Sequence, residues 1–335
     1  MFPFEIKAIE REDDKVIKEY FKGKVTDYVS VGPKNWILPE GFKKHADKYY
    51  NFEIKNDDVW IVTYMKSGTT LMQELLWMVV NDSDYETSSK LPLYDRSPFF
   101  EFNIMWTKEF KAHVAEVNGN DPTVLEELKD VDIPCYETAK NMKSPRLFKT
   151  HLPPSLLPPA LNDICKVVYV ARNPFDVAVS YYHHSKLISS HGYQGDFKKF
   201  WEFFEKDLVL YSPYWEHIKE GWAKRHHPNF LFLFYEDIIR DFPAAIRKVA
   251  NFLNKKMTDD EVNRLAEHLH IDNFRKNVRI TKIWKTEGIF NPKAQGFIRR
   301  GKIGGNEEFD DEIKLKAEKW FKENLANTDI EFPQF

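Results

Sequence analysis

The sequence predicts an α/β fold, a single domain with a central parallel sheet flanked by helices and a P-loop-like strand-loop-helix phosphate site. Three stretches carry that expectation. "VWIVTYMKSGTTLMQELLWMVV" (59–80) runs from a nearly continuous β-branched and aromatic segment through a short polar loop into a helical stripe. "KVVYVARNPFDVAVSYYHH" (166–184) repeats this order, and "FLFLFYEDI" (230–238) adds a third apolar run. Continuous apolar strands are buried on both faces, so helices must cover the sheet above and below.

The first strand is Val59 to Tyr64, and Leu71, Met72, Leu75, Leu76 and Val79 give the following helix a stripe that packs back on the sheet. Between them lie Lys66, Ser67, Gly68, Thr69 and Thr70. The glycine lets a ligand approach the backbone, and the hydroxyls and N–H groups stand beside a helix N-terminus, which favours an anion. The nucleotide-triphosphate loop G-x-x-x-x-G-K-[ST] has its lysine after the glycine; here the order is reversed, so ordinary ATP or GTP binding is disfavoured.

"SPRLFKTHLPPSLLP" (144–158) places Lys149 two residues before His151, on one side of an extended chain. A histidine among lysines is suited to deprotonating a hydroxyl acceptor. The second strand ends in Arg172, with Ser180 in the helix that follows. A magnesium-dependent NTPase is expected to carry an acid there, so Arg172 suggests phosphate neutralisation by side chains. Glu236 and Asp237 close the third strand; they read as acids charging the first turn of a helix, with a metal-binding pair as the alternative. "GFIRRGKIGG" (296–305) brings Arg299, Arg300 and Gly301, suited to a second phosphate. A ligand with two separate phosphates explains both basic clusters.

Composition limits the partners. At 335 residues with 42% hydrophobic content the chain can bury a large core, and no Ser/Gly-rich stretch or repeat divides it. A net charge of −3 gives no field-driven reason to bind nucleic acid or an anionic membrane. The N-terminus mixes acids and bases, and no apolar run approaches a membrane span, so a soluble cytoplasmic protein is expected. Cys135 and Cys165 read as reduced structural thiols, and the histidine pairs 183/184, 226/227 and 268/270 lack metal-ligand spacing; no metal site is expected.

With these segments in view, the chain resembles the cytosolic sulfotransferases. "TYMKSGTT", "FKTHLP", "VVYVARNPFDVAVSYYH", "LFYED" and "FIRRG" occur in that family's order, over a core of about 42–321 after an N-terminal extension of 1–40. The resemblance implies a sulfuryl transfer from 3′-phosphoadenosine 5′-phosphosulfate to the hydroxyl or amine of a small apolar acceptor, by in-line displacement and without metal. It implies that Lys66 to Thr70 wrap the phosphosulfate, and that Arg172, Ser180, Arg299, Arg300 and Gly301 hold the 3′-phosphate. It further makes Tyr211, in "VLYSPYW", a cofactor contact, His151 the general base, Lys149 its companion, and Phe42 and Phe99 aromatic clamps on the acceptor.

The chain also departs from the family pattern. Leu71 stands where a tryptophan stacks on adenine, Leu269 and Ile271 where threonine and phenylalanine are common, and Met65 where proline stiffens the loop. His184 replaces an aromatic typical of members that prefer simple phenols. After "RRGKIGG" the usual dimer-contact segment is missing, so a monomer or a differently built homodimer is expected. Two other readings stand beside sulfotransfer: a magnesium-dependent small-molecule kinase, which needs the reversed loop to bind ATP, and a catalytically lapsed binding protein. Steroid-like alcohols, phenols, retinoids and amines all fit as acceptors, and sulfonation either ends the reaction or activates an elimination.

Overall fold

A computed structural model of the protein describes residues 1–23, 27–299, 301–305 and 307–333. The chain first forms an antiparallel sheet of β1 (Ile6–Ala8), β2 (Tyr28–Val31) and β3 (Trp36–Pro39). The central sheet is four-stranded and parallel throughout, with β4 (Val59–Thr63), β5 (Leu147–Thr150), β6 (Lys166–Ala171) and β7 (Phe230–Phe234) in the order β5-β4-β6-β7.

Side-chain alternation assigns each strand to two cores. Trp60, Val62, Phe148, Val167 and Tyr169 enter one apolar cluster, whereas Val59, Ile61, Leu147, Val168 and Val170 enter the other. The second cluster also takes Met72, Leu75, Leu76 and Val79 from helix Thr69–Val80, the stripe expected from the sequence. Leu71, expected in the same stripe, packs against this cluster but is only half-buried. The third apolar run is shorter than its composition suggests: β7 stops at Phe234, and Tyr235–Arg240 is helix with Glu236 and Asp237 in its first turn, where acids oppose the positive end of the helix dipole.

Two further elements shape the site. The described part of the N-terminal extension after residue 26 packs into the fold, because Val31, Trp36 and Leu38 are buried and β3 grips the segment 209–212. Ile37 donates its N–H to the Ser212 carbonyl, and Tyr211 donates to the Ile37 carbonyl. Between β4 and β5, short helices at Leu93–Arg96, Phe102–Met105, Lys108–Val117 and Pro122–Asp130 form a wall with its own small core of Trp106, Phe110, Val114 and Leu128, closed by Ile283 and Ile289.

Phe42 departs from its expected place on the acceptor. It opens helix Phe42–Tyr50, whose inward stripe is Phe42, Ala46 and Tyr49, and its ring is fully buried against Phe2 and Tyr49. The spacing i, i+4, i+7 turns it toward the core and away from the cleft.

At the N-terminal end of the sheet Arg146 and Asp58 form a buried bidentate pair, with Nε to Oδ1 at 2.7 Å, and the guanidinium also donates to the Ala139 and Glu53 carbonyls. Removing one partner leaves the other charge buried and uncompensated. Asp58→Ala should therefore cost about 3–5 kcal/mol in urea unfolding; a loss below about 1 kcal/mol would contradict the account of this pair.

Candidate active site

All four central strands end at one cleft of about 470 Å³, a size within the usual range for ligand pockets and in the position where open parallel sheets bind ligands. After β4 the chain turns through Lys66 at φ 66° and Gly68 at φ 96° before helix Thr69–Val80 begins. Gly68 is required twice over, by its left-handed backbone and because a Cβ there would lie 2.3 Å from the Tyr235 ring. Lys66, Gly68, Thr69, Thr70 and Leu71 all line the cleft. Ser67 does not: its side chain is wholly buried behind the turn, with its N–H on the Tyr64 carbonyl.

Arg172, at the end of β6, fixes this turn. Its guanidinium lies 4.5 Å from the Tyr235 ring, donates to the Lys66 carbonyl at 3.1 Å and to the Lys302 carbonyl at 3.2 Å, and stands 3.6 Å from Asp176. It thus joins the loop after β4 to the C-terminal segment. Asp176 accepts from the N–H groups of Gly304 and Gly305, which draws that segment over the cleft. Ser180, Leu269, Ile271, Arg299 and Gly301 line the same end. Gly301, at φ 61°, sits so close to Ile271 that a Cβ would be 2.6 Å from its Cδ1. Arg300 lies outside the described residues.

The other end of the cleft holds Phe99, Lys149, His151 and Tyr211. Lys149 and His151 bracket Thr150 at the end of β5 and point the same way, as their spacing predicts. Lys149 Nζ donates to the Tyr94 hydroxyl at 2.7 Å and lies 4.2 Å from the Phe99 ring. His151 Nδ1 is 3.0 Å from the Thr63 carbonyl and 3.1 Å from the Thr63 hydroxyl, which itself meets the Thr69 hydroxyl at 2.6 Å. With Nδ1–H donated to the carbonyl, Nε2 is the free proton acceptor. Tyr211, at φ 66°, packs its ring edge-on against His151 at 5.5 Å, so it stands at this end of the cleft.

Burial governs the charge states. It lowers Lys66 to about 7, helped by Arg172 and Arg299, and lowers Lys149 to about 7, where Glu101 opposes and Lys66 adds to the shift. His151 falls well below its ordinary value through burial and then through Lys149. Each of these cationic forms lacks solvent, and an anion entering the cleft restores it.

Two residues here escape sequence reasoning. Tyr94 anchors Lys149, and Glu101, fully buried, accepts from the His151 N–H and the Thr150 hydroxyl, both at 2.7 Å. Burial pushes the Glu101 carboxyl up to about 7. Glu101 sits only two positions after Phe99, yet no local periodicity marks it; its partners arrive from fifty residues away.

The donor set suits a ligand with two separated phosphate groups. Lys66 with the tight glycine turn makes one cluster of donors, and Arg172, Ser180, Arg299 and Gly301 make a second, each with the chemistry to hold a phosphate. Among the described residues no cluster of three or more His, Cys, Asp or Glu side chains could hold a metal ion.

A family model described as the sulfotransferase domain matches residues 56–329. Luciferin sulfotransferase of Photinus pyralis is 30% identical, over 96% of this chain and 87% of its own length. Human sulfotransferase 1E1 is 30% identical, over 88% of this chain and 93% of its own. Crystal structures of retinol dehydratase are 37% identical: one, with androsterone and the inactive cofactor PAP, covers 100% of this chain and 99% of its own at a TM-score of 0.93. Another, with retinol and PAP, covers 99% of each chain at 0.92.

Glu101→Ala strips the buried acceptor from the His151 N–H and the Thr150 hydroxyl. The expected loss of stability is about 1–3 kcal/mol for each group left unsatisfied, read by denaturant unfolding; an unchanged midpoint would mean that water replaces the carboxylate.

Proposed function

The chain belongs to the sulfotransferase domain family, and on that premise we propose that its acceptor is an extended apolar alcohol of the retinol and androsterone kind. The protein is an enzyme that uses 3′-phosphoadenosine 5′-phosphosulfate (PAPS) and transfers to hydroxyl acceptors. The observation that carries the acceptor class is the wall of the cleft: Phe102, Met105, Trp106 and Phe110 from the segment between β4 and β5 meet Trp284 and Ile289 from the C-terminal third. The likeness to retinol dehydratase supports the same class, since it spans both chains almost end to end.

The cofactor supplies the sulfuryl group. In this reading Lys66 and the turn through Gly68, Thr69 and Thr70 receive the phosphosulfate end, and Arg172, Ser180, Arg299 and Gly301 receive the 3′-phosphate. Leu71, Leu269 and Ile271 flank the adenine. His151 takes the acceptor's hydroxyl proton at Nε2, and its neutral resting state fits that role. Lys66 and Lys149 place positive charge at the leaving and transferred oxygens, and the closed aromatic wall excludes water. Phe99, lying between Lys149 and the His151 ring, orients the acceptor. For an allylic acceptor we assign a second step supported by the dehydratase likeness, in which the C–O bond breaks, sulfate departs with the electron pair, and loss of a carbon-bound proton leaves an alkene.

Among the described residues no helix is long and apolar enough to cross a membrane. A cytoplasmic location accords with two buried free thiols, Cys135 and Cys165, in a reducing compartment. A monomer, or a dimer built elsewhere than on residues 303–310, accords with the engagement of Gly304 and Gly305 by Asp176 of the same chain.

Turnover of retinol, androsterone and a simple phenol with PAPS tests the class. The two large alcohols should be preferred; a phenol turned over faster than both would overturn it. His151→Ala should lower turnover by about 10²- to 10⁴-fold, with PAP affinity retained in calorimetry; near-normal turnover would remove His151 from the base role.

Nucleotide binding should also depend on pH. In the free protein Lys66 loses its proton near 7 in place of 10.5, and an anion beside it raises that value again. Binding of PAP therefore takes up protons between about pH 7 and 10 and weakens as pH rises through that window. Calorimetry in two buffers of different ionisation enthalpy reads the uptake; proton release would contradict the assignment.

A further inference from the structure

Several inward-facing histidines of this chain are hydrogen-bonded. His151 bonds Thr63, His217 bonds the Tyr169 hydroxyl and the His151 carbonyl, and His268 bonds Glu74. His184 and His191 line the cleft, and among the described residues neither imidazole has a hydrogen-bond partner. His184 Nδ1 is sealed from solvent with nothing to bond. An idle polar atom in the interior costs about 1–3 kcal/mol, and so each one calls for an explanation.

The backbone fixes both rings where they are. His184 belongs to helix Pro174–Leu187, and His191 is held in the turn that follows, where its N–H and that of Gly192 both donate to the Ile188 carbonyl. The ring centroids stand 5.5 Å apart at 89°, an edge-to-face contact that leaves the nitrogens unshared. Phe297 ties the pair to the reaction centre, because its ring is 5.6 Å from His184 and 4.5 Å from Lys66 Nζ. Burial and then Lys66 hold His184 well below its ordinary basicity and His191 down to about 4. Two neutral imidazoles thus present N–H donors beside a lysine, on the helix side of Lys66, whereas His151 comes from β5.

N–H donors next to an ammonium suit a compact anion with several oxygens better than a single hydroxyl, which His151 already serves. We propose that His184 and His191 are a second oxyanion-binding pair, which takes the sulfuryl oxygens once they are on the acceptor and holds the sulfated product in the cleft. This rests on the acceptor reading above for the skeleton that carries the sulfate, but the pair itself recognises the sulfate. A product retained in this way stays in the aromatic cleft for the departure of sulfate that an allylic ester allows.

The test uses the whole chain saturated with PAP, so that the nucleotide's phosphate subsites are filled, and titrates inorganic sulfate by calorimetry. The wild type should bind sulfate. His184→Phe and His191→Phe, which keep the ring volume, should each weaken it roughly tenfold or more, with PAP affinity unchanged as the control for folding. His184→Asn, which returns an amide N–H near the place of Nδ1, should recover most of the loss and serves alone if the Phe variants do not fold. Equal sulfate affinity in wild type and Phe variants, no recovery in Asn, or no sulfate binding by the PAP-loaded wild type would overturn the proposal. Androsterone binding is measured separately; its absence would sink the acceptor class and leave the sulfate result standing.

Discussion

Two lysine side chains, Lys149 buried and Lys66 half-buried, face one cleft with no ion-pair partner among the described residues, and the rest of the architecture follows from that constraint. Other buried cations in the chain have a carboxylate at hand. Arg146 has Asp58, Arg96 has Glu74 at 2.7 Å, and Arg172 has Asp176. Burying a cation without a counter-charge is costly, and the two lysines meet that cost by giving up protons near neutrality. Such an arrangement persists only where a rigid frame over-determines it. The four parallel strands provide that frame, since each cleft-forming turn begins at the end of a strand that is packed from both faces.

The carboxylates near the cleft explain why the frame favours an anion over a metal-bound nucleotide. Glu236 accepts from the Asn173 N–H at 2.8 Å, Asp176 from Gly304 and Gly305, and Glu101 from His151 and Thr150. These three acids each accept backbone N–H groups and so shape the turns, although Glu236 keeps one buried oxygen without a partner among the described residues. In the proposed reading positive charge at the phosphates comes from Lys66, Arg172 and Arg299, and the same turns set where those side chains stand.

Much of this was legible in the sequence because it is local. Lys66 to Leu71 run from a strand end into the first turn of a helix, both with unmistakable periods, and the two-residue spacing of Lys149 and His151 fixes their common side. Arg172 could be read as a cation at a strand end, but its grip on the Lys66 carbonyl comes from 106 residues away and leaves no trace in spacing. Glu101 was illegible for the same reason. Phe42 misled because an aromatic at a helix start looks alike whether it faces a cleft or a core, and only the packing of Phe2 and Tyr49 decides. Ser67 shows the limit of a loop motif, since in a turn that reverses at Lys66 and Gly68 neighbouring side chains face opposite ways. The antiparallel N-terminal sheet was missed because its strands are only three or four residues long and gain their burial from the segment at 209–212.

The adenine end shows how the fold accommodates a change of chemistry. Leu71, Leu269 and Ile271 stand where the family commonly offers rings and a hydroxyl, and stacking on an aromatic is worth about 1–3 kcal/mol per base. Aliphatic walls recover part of that by burial alone, provided they are fixed before the base arrives. Leu269 is fixed by the core beneath it, fully buried at the end of helix Asp259–Leu269. Ile271 is fixed from above, where Gly301 in its left-handed conformation lets the C-terminal segment close down until no Cβ fits between them. The same segment is drawn over the cleft by Asp176 and Arg172, so Arg172, proposed above as a 3′-phosphate ligand, also helps to press the aliphatic wall into place. On the proposed placement of the adenine, preorganisation offsets affinity lost with the aromatic rings, and its seat is the contact between Gly301 and Ile271.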